Sequence, residues 1–393
     1  MAFTLQPAVK DDFVDREDIL ADMLSTLKDK STRMGFALVG SRRIGKTSIL
    51  KEVVRRLEGE KDIVPVYFSI WDLVENTLPE LCTRITLAII EGFKPHLSLK
   101  LKMKQLLNVP VLKFFEVLRS LNMKIAIFDE IEIALRMGKS GEIDHNTLIE
   151  KMFLFGEKMA KENGVRLVLM LDEFPSIMDV KNKTKLGEGI IKKIRTICED
   201  LENTILCISG SIRKTMEITA ISPSSAFYRQ FIIKNIEPFT LEATTKILEN
   251  NLDPKISAEA ISRFYELTGG IPFYLQFLGR ELSRFISVAS IGPRQIEKSF
   301  DQFLLQEGDI IFAEQIKSFS DKEKIILSRM ACYGLRTPAE IQKSSGEPSN
   351  VVSRYMEYFL SKGVLQREKK GVYQFTDPVF EVWIKRRFVP TDL

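Results

Sequence analysis

Only two histidines, His96 and His145, occur among the 393 residues, so histidine-based triads and multi-histidine metal sites are nearly excluded. Catalysis has to rest on carboxylates, lysine, arginine and a metal held by oxygens. Cysteine is almost as sparse. Cys82, Cys198, Cys207 and Cys332 are scattered without C-x-x-C spacing, which argues against a disulfide framework or a zinc site and predicts buried thiols. No apolar run approaches ~18 residues, so no membrane-spanning helix is predicted. The opening MAFTLQPAVKDDFVDRED lacks a basic stretch followed by an apolar one, and a cytoplasmic protein is expected. Excess charge is scarce as well: the net charge is +4, and residues 321–393, with 13 Lys/Arg against 9 Asp/Glu, carry all of it. A balance so modest fits a solvated surface as well as a nucleic-acid footprint. Repeats and low-complexity segments are missing too.

The chain does have length, at 45% hydrophobic and 28% charged residues, and it exceeds the size at which one core stops growing. Two or three domains are therefore expected. Residues 40–47 read GSRRIGKT, a full match to G-x-x-x-x-G-K-[ST]. The apolar run Phe36-Ala37-Leu38-Val39 before it reads as a buried strand. After it, Ile49, Leu50, Val53, Val54 and Leu57 recur at helical spacing. Strand, glycine loop and helix thus come in the order a phosphate cradle needs. The backbone N–H groups of Gly40, Ser41, Arg42, Arg43, Ile44, Gly45, Lys46, Thr47 and Ser48 would surround phosphate oxygens at the positive end of the helix dipole. Lys46 would reach the β- and γ-phosphates of a bound nucleotide, and the Thr47 hydroxyl would take one position on Mg²⁺.

Five segments have the short apolar character of buried parallel strands: 35–40, 63–68, 166–171, 204–208 and 231–236. Helical patterns separate most of them, which predicts an α/β fold: a P-loop parallel five-stranded sheet with helices on both faces and ligands beyond the carboxyl strand ends. The second crossover is long, with helical character at 77–93 and 111–121 and strand-like alternation at 124–135, and implies an insertion at about 95–140. From about 240 the pattern turns all-helical, with four helices separated by Gly269-Gly270 and Gly292-Pro293. Helices at 321–332, 337–344 and 348–362, followed by the hairpin VLQREKKGVYQF, give the order of a winged helix. The expected domains are a P-loop core at 1–237, an all-helical lid at 238–305 and a C-terminal winged helix at 306–393.

A bound Mg²⁺ needs a second protein anchor, and the water attacking a γ-phosphate needs a polarising base. LVLMLDE at 167–173 supplies both at one strand end: Asp172 for the metal and Glu173 for the water. The competing pair Asp129-Glu130 continues into the alternation Ile131-Glu132-Ile133, typical of a half-exposed strand, and fits the layout less well. Ser209 and Ser211 end the fourth strand, where hydroxyls sense a γ-phosphate or simply make a turn. Arg213 and Arg229 are candidate phosphate contacts, Arg229 in cis or across a subunit interface and catalytic in either case.

Together these pieces resemble the archaeal ATPase family, a branch of the signal-transduction P-loop ATPases related to AAA+ and origin-recognition proteins. The resemblance spans nearly the whole chain. It is carried by Phe13-Val14-Asp15-Arg16-Glu17, GSRRIGKTSIL, LMLDEF, Ser209-Gly210-Ser211, the FYRQ segment at 227–230, Gly270-Ile271-Pro272 and FTDPVFEVWI. It implies that Val14 and Arg16 help enclose adenine and that Pro272 brings the helical lid over the nucleotide.

The expected function is Mg²⁺-dependent ATP binding and hydrolysis that switches the relation between core, lid and winged helix. ATP is favoured over GTP because NKTK at 182–185 lacks the aspartate of a guanine reader. Two other readings concern the C-terminal segment. It is a DNA-binding module that ATP regulates, or a protein-interaction scaffold in which Tyr355, Tyr358, Phe359, Phe380 and Trp383 pack inward. The inferred outward face of the third helix, Asn350, Ser353, Arg354, Glu357 and Ser361, is poor in cations for a groove reader.

Overall fold

A computed structural model of the chain describes residues 3–10, 13–96, 145–182, 184–211, 230–252, 255–284 and 290–388, together with Met216 and Phe227. Five strands, β1 (Gly35–Val39), β2 (Ile63–Ser69), β3 (Arg166–Asp172), β4 (Thr204–Gly210) and β5 (Phe231–Asn235), form one parallel sheet in the order β2-β3-β4-β1-β5. All seven residues of β3 are buried, as a central strand covered on both faces must be.

The period-two alternation of a strand sends neighbouring side chains to opposite faces. Phe36, Leu38, Val168 and Met170 join Leu20 and Met23 of α1 (Glu17–Lys28) and Ile49, Leu50 and Val53 of α2 (Lys46–Leu57) on one side. Ala37, Val39, Leu167 and Leu169 face the other. There they meet α3 (Leu78–Phe93), α4 (His145–Asn163) and α5 (Gly189–Glu199). Cys82 and Cys207 are buried, whereas Cys198 and Cys332 are only partly so. The expected elements at 111–121 and 124–135, in the 95–140 stretch, lie outside the described residues.

Beyond β5 come α6 (Leu241–Asn251), α7 (Ala258–Thr268) and α8 (Pro272–Leu282), whose starts are set by Thr240 and Ser257 caps and by Pro272 in the first turn. Gly269 and Gly270 both take positive φ, and a Cβ on Gly270 would lie 2.3 Å from the Phe239 carbonyl oxygen, so the turn that aims Pro272 needs glycine there. The fourth lid helix, α9 (Pro293–Lys317), runs past the expected limit at 305 without a break.

Three helices, α10 (Asp321–Tyr333), α11 (Pro338–Ser345) and α12 (Ser349–Ser361), precede the antiparallel hairpin of β6 (Leu365–Lys369) and β7 (Val372–Phe375). This is the winged helix. Sequence patterning does not bring out the element that follows, α13 (Pro378–Arg387), which returns to contact α7, α9 and α10. One apolar cluster therefore runs without interruption from the α1/α2 face of the sheet through the lid into the winged helix. The architecture is the expected α/β P-loop sheet with helices on both faces, an all-helical lid and a C-terminal winged helix. No described helix is long and apolar enough to cross a membrane.

Candidate functional site

Parallel pairing brings the carboxyl ends of β1, β3 and β4 to one edge, with Ser69 opposite Asp172 and Val39 opposite Gly210. The glycine loop leaves β1 at this edge. Gly40 sits against β5, where a Cβ would fall 2.6 Å from the Ile236 carbonyl oxygen, and Gly45 has φ 96°, the left-handed value that opens α2. Arg43, at φ 67°, adopts that conformation with a side chain, a local cost of roughly 1–3 kcal/mol that its surroundings must offset.

Lys46 is buried and its Nζ donates to the carbonyls of Gly40 at 3.0 Å and Ser41 at 2.8 Å. Burial pulls its pKa down to about 8, against the opposing pull of Glu173 and Asp172. Asp172, also buried, gathers donors on both oxygens. Thr47 Oγ1 lies 2.6 Å and the Tyr67 hydroxyl 2.9 Å from Oδ2, while Oδ1 accepts from Ser209 Oγ and, at 3.1 Å, from the Glu173 N–H. A carboxylate taken out of water is stable only when paired in this way.

Glu173 follows in the left-handed region at φ 50°, which turns it out of the strand and into the pocket. Burial raises its pKa, while the Lys46 ammonium works in the opposite direction. Ser211 Oγ donates to Glu173 Oε2 at 3.2 Å. Both expected sensor hydroxyls, Ser209 and Ser211, therefore sit on the acidic pair.

One pocket of about 220 Å³ brings together Val14, Arg16, Arg43, Ile44, Gly45, Lys46, Thr47, Ser48, Glu173 and Pro272. Phe13, Phe239, Ile247 and Phe273 supply its apolar wall. Arg16 holds that wall, its guanidinium 4.9 Å from the Phe239 ring centre and donating to the Glu237 carbonyl. Arg42 points the other way, exposed and 5.9 Å from the Trp71 ring. Arg213, Arg229 and the pair Asp129-Glu130 lie outside the described residues.

Two contributors escape sequence reasoning. Tyr67 is one: burial first, then the Asp172 carboxylate, push its phenol up, so that it remains a donor to the acid. The only signal was a polar-tipped aromatic near the end of a buried strand. The other is the N-terminal strap, whose residues 4–8 line the pocket. The Ala8 N–H donates to Ser48 Oγ at 3.1 Å and the Lys10 N–H to Glu52 Oε2 at 3.0 Å, so two residues one turn apart on α2 anchor it.

Two oxygens of different chemistry, the Thr47 hydroxyl and an Asp172 carboxylate oxygen, meet beside the loop, which suits a hard divalent cation. Among the described residues no cluster of three or more His, Cys, Asp or Glu could chelate a metal by itself. A cation held here would therefore keep most of its coordination for waters and phosphates, as Mg²⁺ does and Zn²⁺ does not.

A model of the ATPase domain predominantly from Archaea matches residues 13–278. Among solved structures, the Walker-type ATPase PABY2304 of Pyrococcus abyssi superposes with a TM-score of 0.69 at 17% identity, over 98% of this chain and 100% of that one. The ORC2 protein of Aeropyrum pernix, in ADPNP–ADP complexes, gives 0.54 at 12% identity over 97% of both. At these identities the likeness is one of fold. No curated protein matches the chain in sequence.

Proposed function

The chain belongs to the family of ATPase domains found predominantly in Archaea, and from that premise we propose that it binds ATP with Mg²⁺, hydrolyses it, and uses the cycle to change how core, lid and winged helix sit together. The observation that carries the reading is the 2.6 Å contact between Thr47 Oγ1 and Asp172 Oδ2, made where Lys46 and Glu173 enter one pocket. Thr47 and Asp172 would hold the cation, which when bound supplies positive charge to the β- and γ-phosphates. The backbone N–H groups of residues 43–47 cradle the phosphates at the start of α2. Lys46 adds a point charge in a desolvated setting where it acts strongly. Adenine sits against Val14, Phe239 and Pro272. Glu173 orients a water toward the γ-phosphate and accepts its proton, and Ser211 steadies that carboxylate. Residues 1–237, 238–305 and 306–393 are the proposed moving units, with α9 joining the second to the third.

For the winged helix, packing is favoured over DNA reading. Exposed on α12 are Asn350, Ser353, Arg354 and Glu357, and Glu357 is paired with Arg367. Arg387 is occupied by Asp309 at 3.4 Å and Arg386 by Asp301. Cations already neutralised at home have little left to offer a phosphate backbone.

Glu173→Gln keeps the shape and removes the base. Turnover should fall by about 10²–10⁴-fold while calorimetry shows ATP and Mg²⁺ binding within a few-fold of the parent. Turnover within threefold of the parent would remove Glu173 from the chemistry.

A further inference from the structure

The side chain of Arg43 leaves the phosphate loop in the direction of the C-terminal module. Its Nη1 donates to the Tyr274 hydroxyl at 3.2 Å and lies 3.7 Å from Asp377 Oδ2, and its Nη2 donates to the Ile311 carbonyl at 3.1 Å. Tyr274 OH in turn donates to Asp377 Oδ2. The guanidinium carbon stands 5.4 Å from the ring centres of both Phe273 and Phe312. One side chain thus touches α8, α9 and the start of α13.

Asp377 is itself a junction. Its Oδ1 caps α13 by accepting from the Val379 N–H at 2.9 Å and the Phe380 N–H at 3.1 Å, leaving Oδ2 for Arg43 and Tyr274. Pro378 fills the space beside Gly269, where a Cβ would come within 2.6 Å. Trp383 sits equally close over Gly308, and Phe312 meets Phe380 and Trp383 at 5.1 and 5.4 Å between ring centres. The cap of α13, the lid helices α8 and α9 and the phosphate loop are therefore held by one polar cluster in an apolar setting.

We propose that Arg43, Tyr274 and Asp377 form a latch by which the phosphate loop holds the C-terminal module, and that ATP opens it. This rests on the ATP reading above. Arg43 serves both partners, its backbone belonging to the phosphate loop and its guanidinium to the latch. The left-handed backbone at Arg43 persists because the side chain is pinned at its far end. Lys46 now bridges the loop through the carbonyls of Gly40 and Ser41. When its ammonium turns to phosphate oxygens, those carbonyls are released, the loop relaxes around Arg43, and a shift of about 1 Å breaks a contact of this kind. Asp377 is then a positioning residue for the loop, and by reciprocity a closed latch must weaken ATP binding by the same factor that ATP loosens the latch.

The test is amide exchange in residues 378–387 of the full chain, with and without a non-hydrolysable ATP analogue and Mg²⁺, alongside calorimetry of the same samples. The parent should exchange at least about tenfold faster at α13 with the analogue bound. Asp377→Asn preserves the cap but removes the charge. It should exchange fast in either condition and bind the analogue several-fold tighter, a gain that a merely structural residue would not give. Should that variant fail to fold, Tyr274→Phe, which keeps the ring and removes the bridging hydroxyl, is expected to change both readouts in the same sense. A parent that binds the analogue with unchanged exchange at α13 overturns the latch and leaves the ATP reading intact. A parent that binds no analogue overturns both.

Discussion

The phosphate loop and the winged helix are held by opposite means. Around the loop, Lys46, Asp172 and Ser209 are buried polar groups that stabilise one another only as a set, and Arg43 and Glu173 sit in left-handed backbone. In the C-terminal module, Phe312, Phe375, Phe380, Trp383 and Phe388 pack mostly in tilted and edge-on pairs at ring distances of 5.1–6.3 Å, and the helices open with ordinary capping boxes at Ser320 and Thr337. Strain and desolvation concentrate where phosphate would be bound. Packing concentrates where a module must stay docked. The comparison teaches that changes in the first region should alter binding and chemistry with little loss of stability, and that changes in the second should do the reverse.

The sharpest way to break this contrast is Lys46→Ala. ATP affinity should fall about a thousandfold, ~4 kcal/mol, because a charge in a partly desolvated cradle is not replaced by water. Thermal stability should hold or rise, since an ammonium whose burial is costly has gone. Near-parental affinity by calorimetry would end the assignment of the loop.

Next in size is Trp383→Ala. It removes a ring over Gly308 and the 3.0 Å hydrogen bond from its indole N–H to Asp309, and should lower the unfolding free energy by about 3 kcal/mol in urea titration. ATP binding should not weaken. A weakened site with unchanged stability would invert the contrast.

Glu52 tests the border between the regions, because it anchors the strap over the pocket. Hydrogen bonding from Arg55, with help from the Lys10 N–H and Arg56, outweighs burial and holds its pKa near 2, from an ordinary 4.5. The unfolded chain therefore takes the proton first as pH falls, and the stability that Glu52 confers is complete above about 4.5 and lost toward 2. Glu52→Gln should be less stable than the parent by about 2 kcal/mol at neutral pH and flatter between those limits, as read from urea midpoints across pH. Parallel curves for parent and variant would deny it the role.

The smallest effect belongs to the wing tip. Reversing Lys369 and Lys370 to glutamate should change duplex affinity less than threefold, with binding weak at both low and moderate salt. Sub-micromolar, salt-steep binding abolished by the reversal would make the module a DNA reader instead.

Much of the candidate site is legible in the chain. GSRRIGKT between an apolar run and an amphipathic one, and LVLMLDE stopping on two acids, are local patterns with few structural outcomes, and the five strands follow from their apolar runs. Tyr67, the strap at residues 4–8 and the far end of Arg43 were not legible. Each takes its meaning from a partner scores of residues away: Tyr67 from Asp172, Ala8 from Ser48, Arg43 from Asp377. The sequence pattern predicts a helix ending near 305, yet α9 continues to Lys317, with Leu305 and Ile310 exposed along it.

By itself the sequence determined the five sheet strands, most of the lid and winged-helix elements, where the backbone must turn, and which residue types stand ready for phosphate and metal, because periodicity, glycine and short-range hydrogen bonding act over a few residues. Tertiary structure alone decided that Ser209 and Tyr67 serve the acid, that an N-terminal strap walls the pocket, and that a loop arginine reaches the cap of the last helix. Those contacts join segments that only the closing of the sheet and the return of α13 bring within hydrogen-bonding distance.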